Sequence, residues 1–104
     1  MTGKEYPPGP DLDLQVANQF FRRKLKPIDW CPAYSTDITW VLEILTKLQQ
    51  QKQSIALRWW PEHEVPGYPG GLWTCHLGTG AYDVAGTTMQ HAIALAALAN
   101  VDES

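Results

Sequence analysis

Ser35-Thr-Asp-Ile-Thr-Trp-Val-Leu-Glu-Ile-Leu-Thr-Lys-Leu-Gln-Gln-Gln51, followed after two residues by Ser54-Ile-Ala-Leu-Arg-Trp-Trp60, holds the change of period on which the fold turns. In the first segment Ile38, Val41, Leu42, Leu45 and Leu48 recur at the spacing of one face of an amphipathic helix. Leu45 stands at the centre of that stripe, and Trp40 and Ile44 widen it. Ser35, Thr36 and Asp37 are three candidate caps in a row, able to accept hydrogen bonds from the unpaired N–H groups of the first turn. The polar run Gln49–Gln53 closes the segment, so the spacing predicts a helix over 35–51. In the second segment the period drops to two, with Ile55, Leu57 and Trp59 on one face and Ala56, Arg58 and Trp60 on the other. Pro61 stops it, and a strand is predicted over 54–60.

Working outward, residues 1–10 hold three prolines and two glycines and read as an irregular arm. Asp11 then caps a helix over 11–25, with Leu12, Val16, Ala17, Phe20 and Phe21 at helical spacing and Pro27 beyond its end. On the other side, Leu72–Leu77 and Ala81–Val84 read as strands, joined by a tight antiparallel hairpin at Gly78-Thr79-Gly80. Gly86 breaks the chain before a last helix that opens on a Thr87/Gln90 capping box. Its stripe is Met89, Ala92, Ile93, Ala96 and Ala97, with Leu95 and Leu98 beside it. The expected architecture is α+β: one domain over 11–101, ordered α-α-β-β-β-α, with the 35–51 helix packed on a three-stranded antiparallel sheet.

A chain of 104 residues with 44% hydrophobic content is a globular domain and not a disordered segment. Eight basic against eleven acidic residues, net −3, argue against direct nucleic-acid binding, which needs a concentrated basic footprint. The short run Arg22-Arg23-Lys24 with Lys26 fits the C-terminal end of a helix, where cations meet the negative end of the dipole. Two cysteines, Cys31 and Cys75, form no CxxC pair, and no leader or membrane span is evident. A cytoplasmic protein with free thiols is expected. Two sheet edges and five tryptophans predict a homo-oligomer, a dimer closed by two-fold symmetry.

Functional chemistry concentrates between β segments. The loop Pro61-Glu-His-Glu-Val-Pro-Gly-Tyr-Pro-Gly-Gly71 is long for a strand connection, and its three prolines lower the ordering cost of any contact. His63 and Tyr68 within it, with Trp60 and Trp73 flanking it, are candidate contacts for a planar ligand or a partner protein. Arg58 either pairs with a helix carboxylate such as Glu43 or holds an anionic ligand. Glu62-His63-Glu64 alternate in direction on an extended chain and do not converge on a metal ion. Cys75 and His76 are strand neighbours that face opposite sides, so they do not form a nucleophile–base pair. No catalytic, metal or cofactor site is expected.

Two stretches of this chain resemble the phage ABA sandwich domain, a family of small phage and prophage proteins. One is Cys31-Pro32-Ala33-Tyr34-Ser35-Thr36-Asp37-Ile38, running straight into a helix. The other is Tyr82-Asp83-Val84-Ala85-Gly86-Thr87-Thr88, followed by Ala92-Ile93-Ala94-Leu95-Ala96-Ala97-Leu98. A leading helix ending in Lys26-Pro27-Ile28-Asp29-Trp30 is similar as well. The Trp59-Trp60-Pro61 element and the loop after it depart from the family pattern. The resemblance implies a helix–sheet–helix sandwich, a phage or prophage setting in the host cell, and no shared catalytic residue. The expected function is that of a non-enzymatic accessory binding protein, a host-defence inhibitor that blocks a host protein or sequesters a nucleotide signal. The alternative is a structural or housekeeping phage protein with no host target.

Overall fold

In the computed structural model, which describes residues 6–78 and 83–103, the elements follow in the expected order and class: two helices, a three-stranded antiparallel sheet and a final helix. The first helix, α1, spans Pro10–Gln15 and continues as a π-helical turn over Val16–Phe20. Gly9 caps it and Pro10 takes the first helical position, where the missing N–H has no intrahelical partner to lose. Asp11 is exposed and makes no cap. The helix ends at Phe21, short of residue 25, with Arg22 in the left-handed region at φ 56. The reason is Asn18, whose side-chain amide bonds both the N–H (2.8 Å) and the C=O (3.0 Å) of Leu25 and draws the chain off the helix axis.

The buried acid of α1 is Asp13. Its Oδ1 accepts from the backbone N–H of Ser35 (2.8 Å) and from the Ser35 hydroxyl (2.6 Å), stitching α1 to the turn before the second helix. That engagement removes Ser35 as a cap. Asp37 takes the role and accepts from Thr39 N–H at 2.9 Å. The second helix, α2, spans Ile38–Gln50 and buries Val41, Ile44 and Leu48, while Leu45 is half-buried and Ile38 and Leu42 are exposed. The buried face is thus turned away from the stripe centre at Leu45. It ends in a Schellman motif at Lys52 (φ 58), with Gln53 N–H donating to Leu48 O (2.9 Å) and Lys52 N–H to Gln49 O (3.0 Å).

Strands β1 (Ile55–Trp60), β2 (Leu72–Leu77) and β3 (Val84–Gly86) lie side by side in that order. Trp59 pairs with Trp73 and Leu57 with Cys75 across β1 and β2, and Cys75 pairs with Val84 across β2 and β3. The third strand was expected at 81–84; it runs to Gly86, and residues 79–82, with the hairpin turn, lie outside the described residues. Gly86 sits inside the strand because a Cβ there would lie 2.5 Å from Ala92 N of the last helix. That helix, α3 (Met89–Glu103), is capped one residue later than expected. Thr88 Oγ1 accepts from His91 N–H (3.1 Å), and His91 Nδ1 accepts from Thr87 N–H (3.0 Å). The ring's other nitrogen then donates to Tyr6 O (2.7 Å) and pins the N-terminal arm.

The helix that covers the sheet is α3 and not α2. It packs on β2 and β3, and α1, the π-helical turn and α2 rest against it. Ala92, Ile93, Ala94, Ala96, Ala97 and Leu98 are all buried, so α3 is apolar on nearly every side, as a central helix must be. Its alanines permit the close approach to Gly86. β1 gains little from this cover. Its core-side residues Ile55, Leu57 and Trp59 remain 38%, 36% and 49% exposed. No described helix is long and apolar enough to cross a membrane.

Candidate functional site

Strand alternation divides the sheet into two chemically different faces. Trp73, Cys75 and Leu77 of β2 point toward α3 and the core. The opposite face displays Ala56, Arg58 and Trp60 from β1, Leu72, Thr74 and His76 from β2, and Ala85 from β3, every one exposed or half-buried. Arg58 pairs with Thr74, which pairs with Ala85, so the arginine lies beside small neighbours and is not overshadowed.

Arg58 and Trp60 act as one unit on this face. The guanidinium lies 3.7 Å from the Trp60 ring centroid, a cation–π contact that holds a long side chain flat. Trp60 Nε1 donates to Thr74 Oγ1 (3.2 Å), and that hydroxyl donates to Arg58 O (3.5 Å), so the indole is fixed from its other end. No described carboxylate lies within ion-pair distance of Arg58. Of the two alternatives for Arg58, pairing with Glu43 is not observed: Glu43 lines a groove on α2 instead. The guanidinium therefore offers its donor fork to an incoming anion from a pre-set position.

One row away, His76 Nδ1 and Asp83 Oδ1 are 2.7 Å apart. An ionised carboxylate only accepts, which puts the proton on Nδ1 and leaves Nε2 for an outside partner. The adjacent Cys75 faces the core, where burial pushes its thiol up to about 12. Thr74 spends its hydroxyl on Trp60 and on the Arg58 carbonyl. Among the described residues no group of three or more His, Cys, Asp or Glu side chains is arranged to hold a metal ion.

The five sequence-derived candidates do not all converge. Arg58 and Trp60 come together on the open face. Trp73, directly opposite Trp59, lies on the core side, half-buried against the apolar cluster. His63 sits in a single 3₁₀ turn, Glu62–Glu64, and Tyr68 is half-exposed further along the loop. Consecutive backbone bonds order that loop: Glu64 N to Pro61 O, Tyr68 N to Val65 O and Gly71 N to Tyr68 O. Gly71 closes it at φ 95 against Trp59 and Trp60, where a Cβ would lie 2.5 Å from Trp60 O and 2.7 Å from Trp59 Nε1. The loop is thus seated on the strand end. Thr74, His76 and Asp83 were missed in the sequence, although alternation from Arg58 and the register of a hairpin would have placed the first two on its face.

A second feature, also unforeseen, is a shallow groove of about 330 Å³ lined by Phe21, Leu42, Glu43, Thr46, Lys47 and Gln50. Lys47 Nζ donates to Phe20 O and lies 4.7 Å from the Phe20 ring centroid. Burial, then the nearby Arg22 charge, lowers its pKa. Tyr34 beneath stacks on Phe21 with centroids 5.0 Å apart. No family model, no curated protein and no solved structure matches this chain.

Proposed function

We propose that this chain is a non-enzymatic accessory binding protein that occludes a host protein, with the open sheet face around Arg58 and Trp60 as its contact surface. The observation that carries the reading is a guanidinium that no described carboxylate pairs, held 3.7 Å over an indole on an exposed face. Arginine and tryptophan are the residue types over-represented at the energetic centres of protein interfaces. A pre-fixed rotamer also lowers the entropy lost on contact.

Shape favours a protein partner over the nucleotide-sequestration reading. Small ligands are usually enclosed in clefts that bury most of their surface, and this face is an open sheet. One face of Trp60 is already occupied by Arg58, so the indole keeps only its other face for a base. The partner's complementary feature is an acidic patch or carboxylate-bearing segment that meets Arg58 bidentately. The resemblance to phage ABA sandwich proteins, carried by its sequence motifs alone, supplies the setting: a phage or prophage product in the host cytoplasm, acting against antiviral defence.

The test is affinity capture from host lysate with mass spectrometry of proteins and small molecules. Wild type, Arg58→Ala with Trp60→Ala, and His63→Ala with Tyr68→Ala are run in parallel. Capture of one host protein that is lost with the first pair at unchanged melting temperature is expected. Equal capture by that variant refutes the face, and loss only with the second pair moves the site to the loop. Recovery of a nucleotide with no protein would return the sequestration reading.

A further inference from the structure

β1 is an edge strand with two unusual properties. No described residue pairs with its outer edge, and Ile55, Leu57 and Trp59 form an apolar row on the core side that α3 leaves partly uncovered. Natural edges are normally blunted by lysines, prolines, bulges or inward-pointing charges. Ile55–Trp60 contains no lysine or proline, and its one charge, Arg58, points to the other face.

The hydrogen-bond phase of this edge is fixed by the structure. Ser54 O accepts from Gly78 N–H at 2.8 Å, which marks Ser54 and Gly78 as a bonded pair. In an antiparallel ladder the bonded pairs alternate. Ala56, Arg58 and Trp60 therefore turn their backbone groups toward β2, and Ile55, Leu57 and Trp59 turn theirs toward open solvent. The strand thus presents both its unused N–H and C=O groups and its uncovered apolar side chains from the same three residues.

From this geometry we infer that β1 pairs antiparallel with β1 of a second copy, about a two-fold axis through Leu57, to form one continuous sheet across the dimer. The register follows from two constraints. Pairing the whole segment 54–60 with itself requires Leu57 opposite Leu57, Ile55 opposite Trp59 and Ser54 opposite Trp60. Moving the axis by one residue, a two-residue slide of the strands, would centre the pairing on Arg58 and set like charges directly opposite, which is destabilising. In the Leu57 register Arg58 faces Ala56, the smallest neighbour available, and every core-side pair is apolar on apolar. This match of the strand to itself favours a second copy over a strand from another protein, for which Arg58 has no selected counter-charge on this edge.

The pairing deepens the proposed function, and only its consequence rests on that reading. Two Arg58–Trp60 units would share one face, with the arginines on the diagonal of the two-fold axis at a Cα separation of about 7–8 Å. The binding surface would then be composite, completed by the partner copy, and would concentrate two guanidinium groups on an acidic protein.

Sedimentation equilibrium of the full chain across micromolar to submillimolar loadings tests the pairing. A dimer of the 11.7 kDa chain is expected, and Leu57→Lys, which places two charges face to face on the axis, should abolish it without unfolding the half-exposed site. Register is tested by oxidation in a Cys31→Ser, Cys75→Ala background, because Cys75 lies directly opposite Leu57 on β2 and would otherwise capture a thiol there within the same chain. Leu57→Cys puts two thiols on paired residues about 5.5 Å apart and should give a covalent dimer. Ser54→Cys puts them roughly 20 Å apart and should not. A monomer at all loadings overturns the inference, including a monomer that accepts a strand only when a host protein is added. A dimer that survives Leu57→Lys, or equal cross-linking at both positions, also overturns it. If Leu57→Lys fails to fold, the cross-linking pair alone decides. None of these outcomes affects capture by the Arg58 face of a monomer, so the two readings fail separately.

Discussion

Replacing Tyr34 by Phe should stabilise the protein, against the usual effect of deleting a tyrosine hydroxyl. Tyr34 is fully buried, stacked on Phe21 and edge-on to Trp40, and its hydroxyl has no hydrogen-bond partner among the described residues. A buried hydroxyl without a partner costs about 1–3 kcal/mol of desolvation, so its removal with the ring retained should add about 1 kcal/mol at neutral pH. A pH dependence accompanies this. Burial pushes the phenol up from 10.0 to about 12, with Glu43 adding to the rise and Arg23 opposing it. The folded state therefore holds its proton where the unfolded chain has lost it. Stability from this group is complete below pH 10 and falls as pH climbs through about 12, by an amount on the order of 2–3 kcal/mol. Tyr34→Phe lacks that loss, so its advantage should widen between pH 9 and pH 12. Cys75 titrates in the same range in both proteins and cancels in the difference. Urea denaturation at pH 7, 9.5 and 11 measures it. A variant less stable than wild type by more than about 1 kcal/mol at pH 7 would refute the reasoning, as would a gap that does not change with pH.

Two further outcomes follow from the packing of α2 and α3. Ile44→Ala should destabilise by about 2–5 kcal/mol, because Ile44 is fully buried, whereas half-buried Leu45→Ala should lose about 1 kcal/mol or less; equal losses in denaturant melts would contradict the observed face of α2. Gly86→Ala forces a Cβ to 2.5 Å from Ala92 N and 2.9 Å from His91 C, so a loss of about 1–3 kcal/mol is expected by thermal melt, and a neutral result would mean that β3 and α3 are not in contact.

The fold was legible in outline because period and breakers are local signals. The switch at residues 51–54 gave a helix followed by a strand, and Leu72–Leu77 matches its predicted bounds. What failed was nonlocal. The stripe of α2 named Leu45 as its centre, but which of several apolar residues turns inward depends on the neighbour, and the neighbour is α3. A signal for that was present, since residues 92–98 are apolar on nearly every side, the mark of a helix buried by its surroundings. The early end of α1 depended on Asn18 reaching Leu25, seven residues on, which no propensity encodes. The candidate site was half legible. Alternation put Arg58 and Trp60 on one face, but the expected Glu43 partner required knowing that α2 does not lie over that face.

The same packing leaves the aromatic residues of β1 outside the core cluster. A central α3 needs only two strands beneath it, and Cys75, Leu77 and Gly86 of β2 and β3 supply that contact. The core cluster is built from α1 with its π-helical turn, Tyr34, α2, α3 and β2, with no residue of β1 in it. Trp59 remains half exposed and Trp60 partly exposed, and neither joins that cluster, although tryptophan is among the most effective side chains for burial. An exposed edge strand that carries two tryptophans, an arginine with no carboxylate partner among the described residues and a loop folded against its end is poorly accounted for by the isolated domain. Its residues become economical once both sides of β1 are occupied: the core-side row by a second copy through the open edge, and the outer Arg58–Trp60 unit by an acidic protein partner. The two contacts use opposite faces of one strand, so the dimer would present its paired arginines without covering them.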